Sequence, residues 1–246
     1  MCLNGKTLEF AAAGAYLNIN TASEVTINGK VSGSEITKNI TNGTNEKLVS
    51  ATGTTLNMVG GTYSMYGTYS TAAIAVRSEN TTTDITMAGC SVIADANAPV
   101  SVRCAQFYGT SSIDNCSLTA TNQAGSTIAI LAISGSDSLT VRNSKLLSLS
   151  YDGTQAETVC VQTDATTTTI EKCIVSSSSP APGIGVGCVV VKSGTASITE
   201  SIIKAEGNAD SLVIGVNVLS TANSASVKNS NITAESDGEN ASVFGI

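Results

Sequence analysis

The sequence predicts an all-β fold: a parallel solenoid of about 28 residues and three short strands per coil, with roughly eight coils. Three observations predict it. First, only 13% of the 246 residues are charged while 41% are hydrophobic, against about 25% charge in an ordinary globular chain. That leaves little Lys, Glu and Leu for amphipathic helices, whereas Thr, Val and Ile suit strands and Gly and Asn suit tight turns. Second, the short grammar of "ITMAGCSVIA" (85–94) returns in "SIDNCSLTA", "TVRNSKLLS", "TIEKCIVSS", "SITESIIKA" and "SVKNSNITA". Third, it returns at a nearly constant interval.

The interval is measured from the small residue after each turn: Gly61, Cys90, Cys116, Ser144, Cys173, Ser201 and Ser230, spaced by 29, 26, 28, 29, 28 and 29 residues. Three residues earlier stand Met58, Met87, Ile113, Val141, Ile170, Ile198 and Val227. Two residues later stand Tyr63, Val92, Leu118, Leu146, Val175, Ile203 and Ile232. Four later, the position is small except at Met65. Period-two alternation on both sides of the corner reads as two strands with alternate residues pointing inward. The residue just before the corner is Gly60, Gly89, Asn115, Asn143, Lys172, Glu200 and Asn229. Gly and Asn tolerate left-handed backbone, so this position reads as the bend joining the two strands.

A third apolar strand follows some 13 to 16 residues after the corner, as in "AAIAVRS", "TIAILAIS", "GCVVVKS" and "VIGVNVL". Three strands in 28 residues describe one coil of a solenoid, since a propeller blade needs four strands and about 40 residues. Coils stacked about 4.8 Å apart make a rod roughly 40 Å long. Its stability comes from neighbours, because one coil cannot bury its own apolar face.

Residues 54–246 form the regular part of this single domain. Residues 1–53 are expected to hold irregular N-terminal coils, with Lys30 and Cys2 as corner residues and "SEITKNITNGTNEKLVSATG" as a protruding loop. The last segment, "SVFGI", falls within a third strand, so the parent protein is expected to continue with further coils or domains.

"LTVRNSKLLS" and "ASVKNSNITA" resemble the strand, Asn-containing bend and strand of right-handed parallel β-helix proteins of the pectin-lyase-like class. The resemblance covers 54–246 and fits 1–53 poorly. It implies a right-handed solenoid and leaves activity open, because the class includes polysaccharide lyases, hydrolases, adhesins and phage spikes. It also implies that a catalytic site would lie on the outer face of the third-strand sheet. There the segments 70–78, 98–108, 126–134, 158–163, 183–191 and 211–219 contain no Asp, Glu or His. Glycoside hydrolysis needs two carboxylates flanking the scissile bond, and a calcium-assisted lyase needs several oxygen ligands. The hydrolase motif containing Gly-His-Gly is ruled out by a chain without histidine.

Candidate ligand-binding residues are aromatic or cationic. Tyr66 and Tyr69, in the turn after a strand, and Tyr151, at a similar turn three coils later, offer rings for stacking on sugars; Tyr63 reads as core. Arg77 and Arg103 project from adjacent third strands and suit an acidic sugar. The cysteines follow the repeat: Cys90, Cys116 and Cys173 share the corner, and Cys104, Cys160 and Cys188 lie in third strands. Cys90 with Cys116, or Cys160 with Cys188, would lie close enough to bridge. The expected role is nonetheless a small buried thiol at a tight position. No Cys-x-x-Cys pair or His supports a metal site, and no cofactor motif is present. Acidic residues sit in turns (Asp84, Asp95, Asp114, Asp152, Glu157, Asp164, Glu235, Asp237, Glu239) and serve solubility, although "AESDGENA" would offer a loose calcium site. Six Asn-x-Ser/Thr triplets are expected from composition alone.

Partners follow from charge. A net charge of −7 with only 12 Lys and Arg disfavours nucleic acid, which is held by basic clusters. No apolar run reaches the 18 or more residues that cross a bilayer, and no signal peptide is visible at the N-terminus. The expected function is a non-catalytic extracellular or cell-surface rod of a bacterial surface or secreted protein: an adhesin, a spacer or a polysaccharide-binding segment recognising polysaccharide or cell-surface glycan. The alternative is a carbohydrate-active enzyme, lyase or glycoside hydrolase, with an atypical site such as Asp152 with Asp164. A phage or secretion-system spike and an ice-binding face built on "TTTD" and "TTTT" rank lower, the latter because no single Thr column repeats.

Overall fold

The computed structural model describes residues 1–151, 157–238 and 240–246. These residues form 26 strands and no helix. Three sheets result, all of whose strand pairs are parallel. Sheet I has eight strands, from Val25–Gly29 to Ala222–Lys228; sheet II has nine, from Thr7–Phe10 to Asn231–Ser236; sheet III has nine, from Leu17–Asn20 to Ser242–Phe244. Each coil runs through sheet I, a tight bend, sheet II, a turn and sheet III. The chain is therefore a parallel β-solenoid of about eight turns.

The register follows the repeat. Met87 lies between Met58 and Ile113, and Val92 between Tyr63 and Leu118. These columns point inward, where their side chains are fully buried. Like residues stacking on like residues bury each apolar side chain against the coils on both sides, which contributes about 1.5–3 kcal/mol for a Val, Leu or Ile. Outside, sheet I sets Thr86, Ser112, Thr140, Thr169, Ser197 and Ser226 in one ladder. Of the two threonine runs only Thr169 of "TTTT" joins this ladder, which is mixed Ser/Thr, while Thr81, Thr82 and Thr83 precede their strand.

The bend explains why Ser and Cys alternate at the corner. The residue before it is left-handed in seven successive coils, with φ of 66° at Gly60, 64° at Gly89, 51° at Asn115, 49° at Asn143, 54° at Lys172, 50° at Glu200 and 51° at Asn229. This turns its N–H onto the next coil: Asn115 donates to the Arg142 carbonyl and Lys172 to that of Thr199, at 3.1 and 3.0 Å. The corner N–H then has no ladder carbonyl, and a side chain on the next coil accepts it. Cys116 N–H donates to Ser144 Oγ, Cys173 to Ser201 Oγ and Ser201 to Ser230 Oγ, each at 3.1 Å. The hydroxyl passes the bond on to its own coil, as in Ser144 Oγ to the Arg142 carbonyl at 2.6 Å. A group that is both donor and acceptor, and small, is required there; hydroxyl and thiol both qualify.

The N-terminal region departs from expectation. Residues 34–53 are not a loop but two strands, Glu35–Gly43 and Glu46–Thr52, paired in sheets II and III. The masking residue is Lys38, which takes an inward position opposite Met65 and breaks the apolar alternation of Ile36 and Ile40. Its buried ammonium donates to the Ala15 carbonyl at 2.7 Å and pairs with Glu46. The Glu46 carboxylate also accepts the Gly14 N–H at 3.0 Å. Lys30 keeps the sheet I register, since Gly29 pairs with Gly60, but Glu35 pairs with Thr62. Five residues (30–34) therefore stand opposite Gly61, and the sheet II strand begins four residues late. Cys2 is no corner residue either; it bridges Asn28, which pairs with Val59. Gly67 marks the closest approach: with φ of 126°, a Cβ there would lie 1.9 Å from the Ile40 carbonyl oxygen.

Candidate functional site

On the outer face of sheet III, two ladders run along the rod. One stacks Lys47, Ile74, Arg103, Ile128, Val159, Gly187 and Ile214. The other stacks Ser50, Arg77, Gln106, Leu131, Gln162, Val190 and Asn217. Ile74, Ile128, Leu131 and Val159 are buried yet lie outside the central core, so they form a second, outer apolar layer.

At the N-terminal end this face is cationic. Lys47, Arg77 and Arg103 come from three consecutive coils, and the first two pair with one carboxylate, Glu79. Arg77 Nε lies 3.1 Å from Glu79 Oε2, and Lys47 and Ser50 both donate to Oε1. Tyr rings flank the cluster: Lys47 Nζ is 5.5 Å from the centre of the Tyr16 ring, and the Arg77 guanidinium is 5.9 Å from that of Tyr108, both within cation–π range. Arg103 donates to Gln106, while its buried Nε has no partner among the described residues. Burial, and then the Arg77 charge beside it, pulls Arg103 below its ordinary value. For Glu79, burial raises the pKa, but the bonds from Lys47 and Ser50 and the Arg77 charge outweigh it and hold the carboxyl below its usual range. A depressed carboxyl contributes stability that is present above the ordinary glutamate range and lost as pH falls through the folded value.

Towards the C-terminal end the same face becomes apolar. Gly185 and Gly187 remove two outward side chains and open a groove of about 310 Å³, lined by Val159, Val190, Leu212 and Ile214 together with the charged Glu157 and Lys192. A second, longer groove of about 670 Å³ follows the bend between sheets I and II, along Gly60, Gly89, Cys90, Asn115, Cys116 and Lys145.

The sequence candidates separate on this surface. Arg77 and Arg103 come together. Tyr66 is half-buried within the strand Thr62–Tyr69 rather than in a turn. Tyr69 is a correction: the strand continues through it, its ring is buried at 1% exposure, and its hydroxyl donates to the Tyr66 carbonyl at 2.6 Å. It has no free face for a sugar. Tyr151 is exposed, on a groove with Pro180, Asn208 and Asp237, far along the chain from the cationic cluster. Asp152 of the suggested Asp152–Asp164 pair, and Glu239, lie outside the described residues. Lys47, Glu79 and Tyr16 complete the cluster beyond what the sequence singled out, and Tyr108, an aromatic that the sequence places just after the third strand Ser101–Phe107, joins them. The spacing of 27 residues between Ser50 and Arg77, and between Lys47 and Ile74, was the signal for Lys47, hidden by reading 34–53 as a loop.

No family model matches the chain, and no match was found among curated proteins or solved structures.

Proposed function

We propose that the chain is a non-catalytic, extracellular rod segment of a bacterial surface or secreted protein, which binds acidic polysaccharide on the outer face of sheet III. The observation that carries this reading is the Lys47–Arg77–Arg103 cluster. Lys47 and Arg77 share the carboxylate of Glu79 in a chain of net charge −7, and the neighbouring Arg103 leaves its Nε without a hydrogen-bond partner among the described residues. A desolvated cation with spare donors is suited to a carboxylate or sulfate, with which charge-assisted and bidentate bonds form. The flanking Tyr16 and Tyr108 rings add apolar surface for the sugar itself. Glu79 is engaged by Lys47, Ser50 and Arg77 and does not resemble one half of a hydrolytic carboxylate pair.

The test is binding of acidic and neutral polysaccharides to the wild type and to the Arg77→Ala/Arg103→Ala variant, with release of reducing or unsaturated ends followed in parallel. The expected result is retention of acidic chains only, weakened by added salt and by roughly 10–100-fold in the variant, in line with loss of charged hydrogen bonds. Equal affinity for neutral chains, or an unaffected variant, would remove the proposed site. Turnover above a heat-inactivated control would show an enzyme instead.

A further inference from the structure

Cys90 and Cys116 occupy the same corner on consecutive coils. The Cys90 N–H donates to Cys116 Sγ at 3.3 Å, the Ser117 N–H donates to the Cys90 carbonyl at 2.9 Å, and the two thiols are within hydrogen-bonding reach of each other. The strands that leave the two corners pair in register, Ser91 with Ser117. Paired strands stand about 4.8 Å apart, which falls in the range of about 4.4–6.8 Å that a disulfide spans between Cα atoms. The third corner cysteine, Cys173, has Ser144 and Ser201 as its neighbours along the column. Both residues of the pair line the groove along the bend beside Gly60, Gly61 and Gly89, although they are only 2% and 4% exposed.

Cys160 and Cys188 also lie on consecutive coils and, like the corner pair, are buried in the core. Each thiol donates to a carbonyl at 2.8 Å, that of Ser176 and that of Lys204 respectively, and neither residue borders a groove described above. A further feature singles out the corner pair. The Tyr63 hydroxyl, buried and without a partner among the described residues, lies within electrostatic reach of both sulfurs.

We propose that Cys90 and Cys116 are a redox site, a dithiol that a small organic disulfide of the glutathione type oxidises to an intrachain disulfide clasping two consecutive coils. In the first step Cys116 loses its proton and its thiolate attacks one sulfur of the small disulfide. That S–S bond breaks, one small thiolate leaves, and a mixed disulfide remains on Cys116. Cys90 then loses its proton and attacks the Cys116 sulfur, forming the Cys90–Cys116 bond and expelling the second small thiolate. Two electrons pass to the small disulfide, and the two protons end on two small thiols. The order follows from the hydrogen bond that Cys90 donates, which holds the Cys116 thiol below its ordinary value. The bond would close where disulfides persist, in an oxidising compartment. It is independent of glycan binding.

The test uses the full chain with Cys2→Ser, which removes the exposed thiol and leaves six of the seven. Folded protein is incubated with oxidised glutathione and, separately, with the smaller cystamine; thiols are then blocked, counted after denaturation and mapped by peptide mass. Four thiols and a single Cys90–Cys116 link are expected, with a rise in the unfolding midpoint that dithiothreitol reverses. A second variant, Cys2→Ser/Cys116→Ser, keeps a hydroxyl at a corner that already accepts Ser at 144 and 201, and should form no link. Six thiols after both oxidants, a small-thiol adduct without a link, or a link between other cysteines would overturn the proposal.

Discussion

Ser144 shows how one small side chain holds a coil. It accepts the Cys116 N–H at 3.1 Å and donates to the Arg142 carbonyl at 2.6 Å, so it joins two coils through one atom. Removing it leaves a buried N–H without an acceptor, a loss of about 1–3 kcal/mol. We expect Ser144→Ala to destabilise by that amount in chemical denaturation and Ser144→Cys to cost less than half as much, because Cys116 already performs the relay with a thiol. Lys38 carries a different lesson. An ammonium in an apolar column is tolerated because Glu46, Ala15 and the Lys47 carbonyl surround it. Desolvation offsets much of the gain from such a pair, so it defines the position of the segment around Gly14 more than it adds stability.

At the scale of the element, the bend between sheets I and II is the repeating decision. Left-handed backbone costs an ordinary L-residue about 1–2 kcal/mol, and Asn tolerates it better. Asn115, Asn143 and Asn229 comply, whereas Lys172 and Glu200 adopt φ of 54° and 50° with side chains that gain nothing locally from it. Their side chains lie half-exposed in ion pairs of 3.5–3.9 Å, a geometry worth little. Lys172→Asn should therefore raise stability by roughly 0.5–1 kcal/mol, part of that backbone cost. A shift of the denaturation midpoint in the other direction would mean that the ion pairs matter more than the bend.

At the scale of the molecule, the rod is graded along its axis. The coil from Ala222 to Phe244 keeps its parallel pairing, but Val227 and Ile232 are only partly buried where their equivalents are fully so, and Phe244 is 52% exposed. Solenoid stability is a sum over coils and their contacts, so opening costs least where the inward columns are least buried. Amides of Ala222–Lys228, Asn231–Ser236 and Ser242–Phe244 should exchange with deuterium well before those of the coils between Asp84 and Glu171, as read by mass spectrometry of peptides. Uniform exchange along the rod would show a single cooperative unit. The same gradation applies to the sheet III face, which carries Lys47, Arg77 and Arg103 at one end and is mainly apolar at the other; the proposed site for acidic ligands lies at the first.

Alternation, repeat length and the Gly/Asn position were enough for the sequence alone to determine the solenoid, its inward columns and its left-handed bend, because these depend on local backbone preference and on like residues recurring at one interval. The same register brought Arg77 and Arg103 together. Tertiary structure alone decided what depends on a partner across coils. Lys38 is core because Glu46 folds beside it, Tyr69 is buried because its strand runs on against Glu35–Gly43, and Glu79 and Tyr108 join the arginines through side-chain reach that spacing does not encode. The alternation of Ser and Cys at the corner belongs to both levels. The sequence determined that the residue is small, and only the stacked coils showed that it must accept one hydrogen bond and donate another.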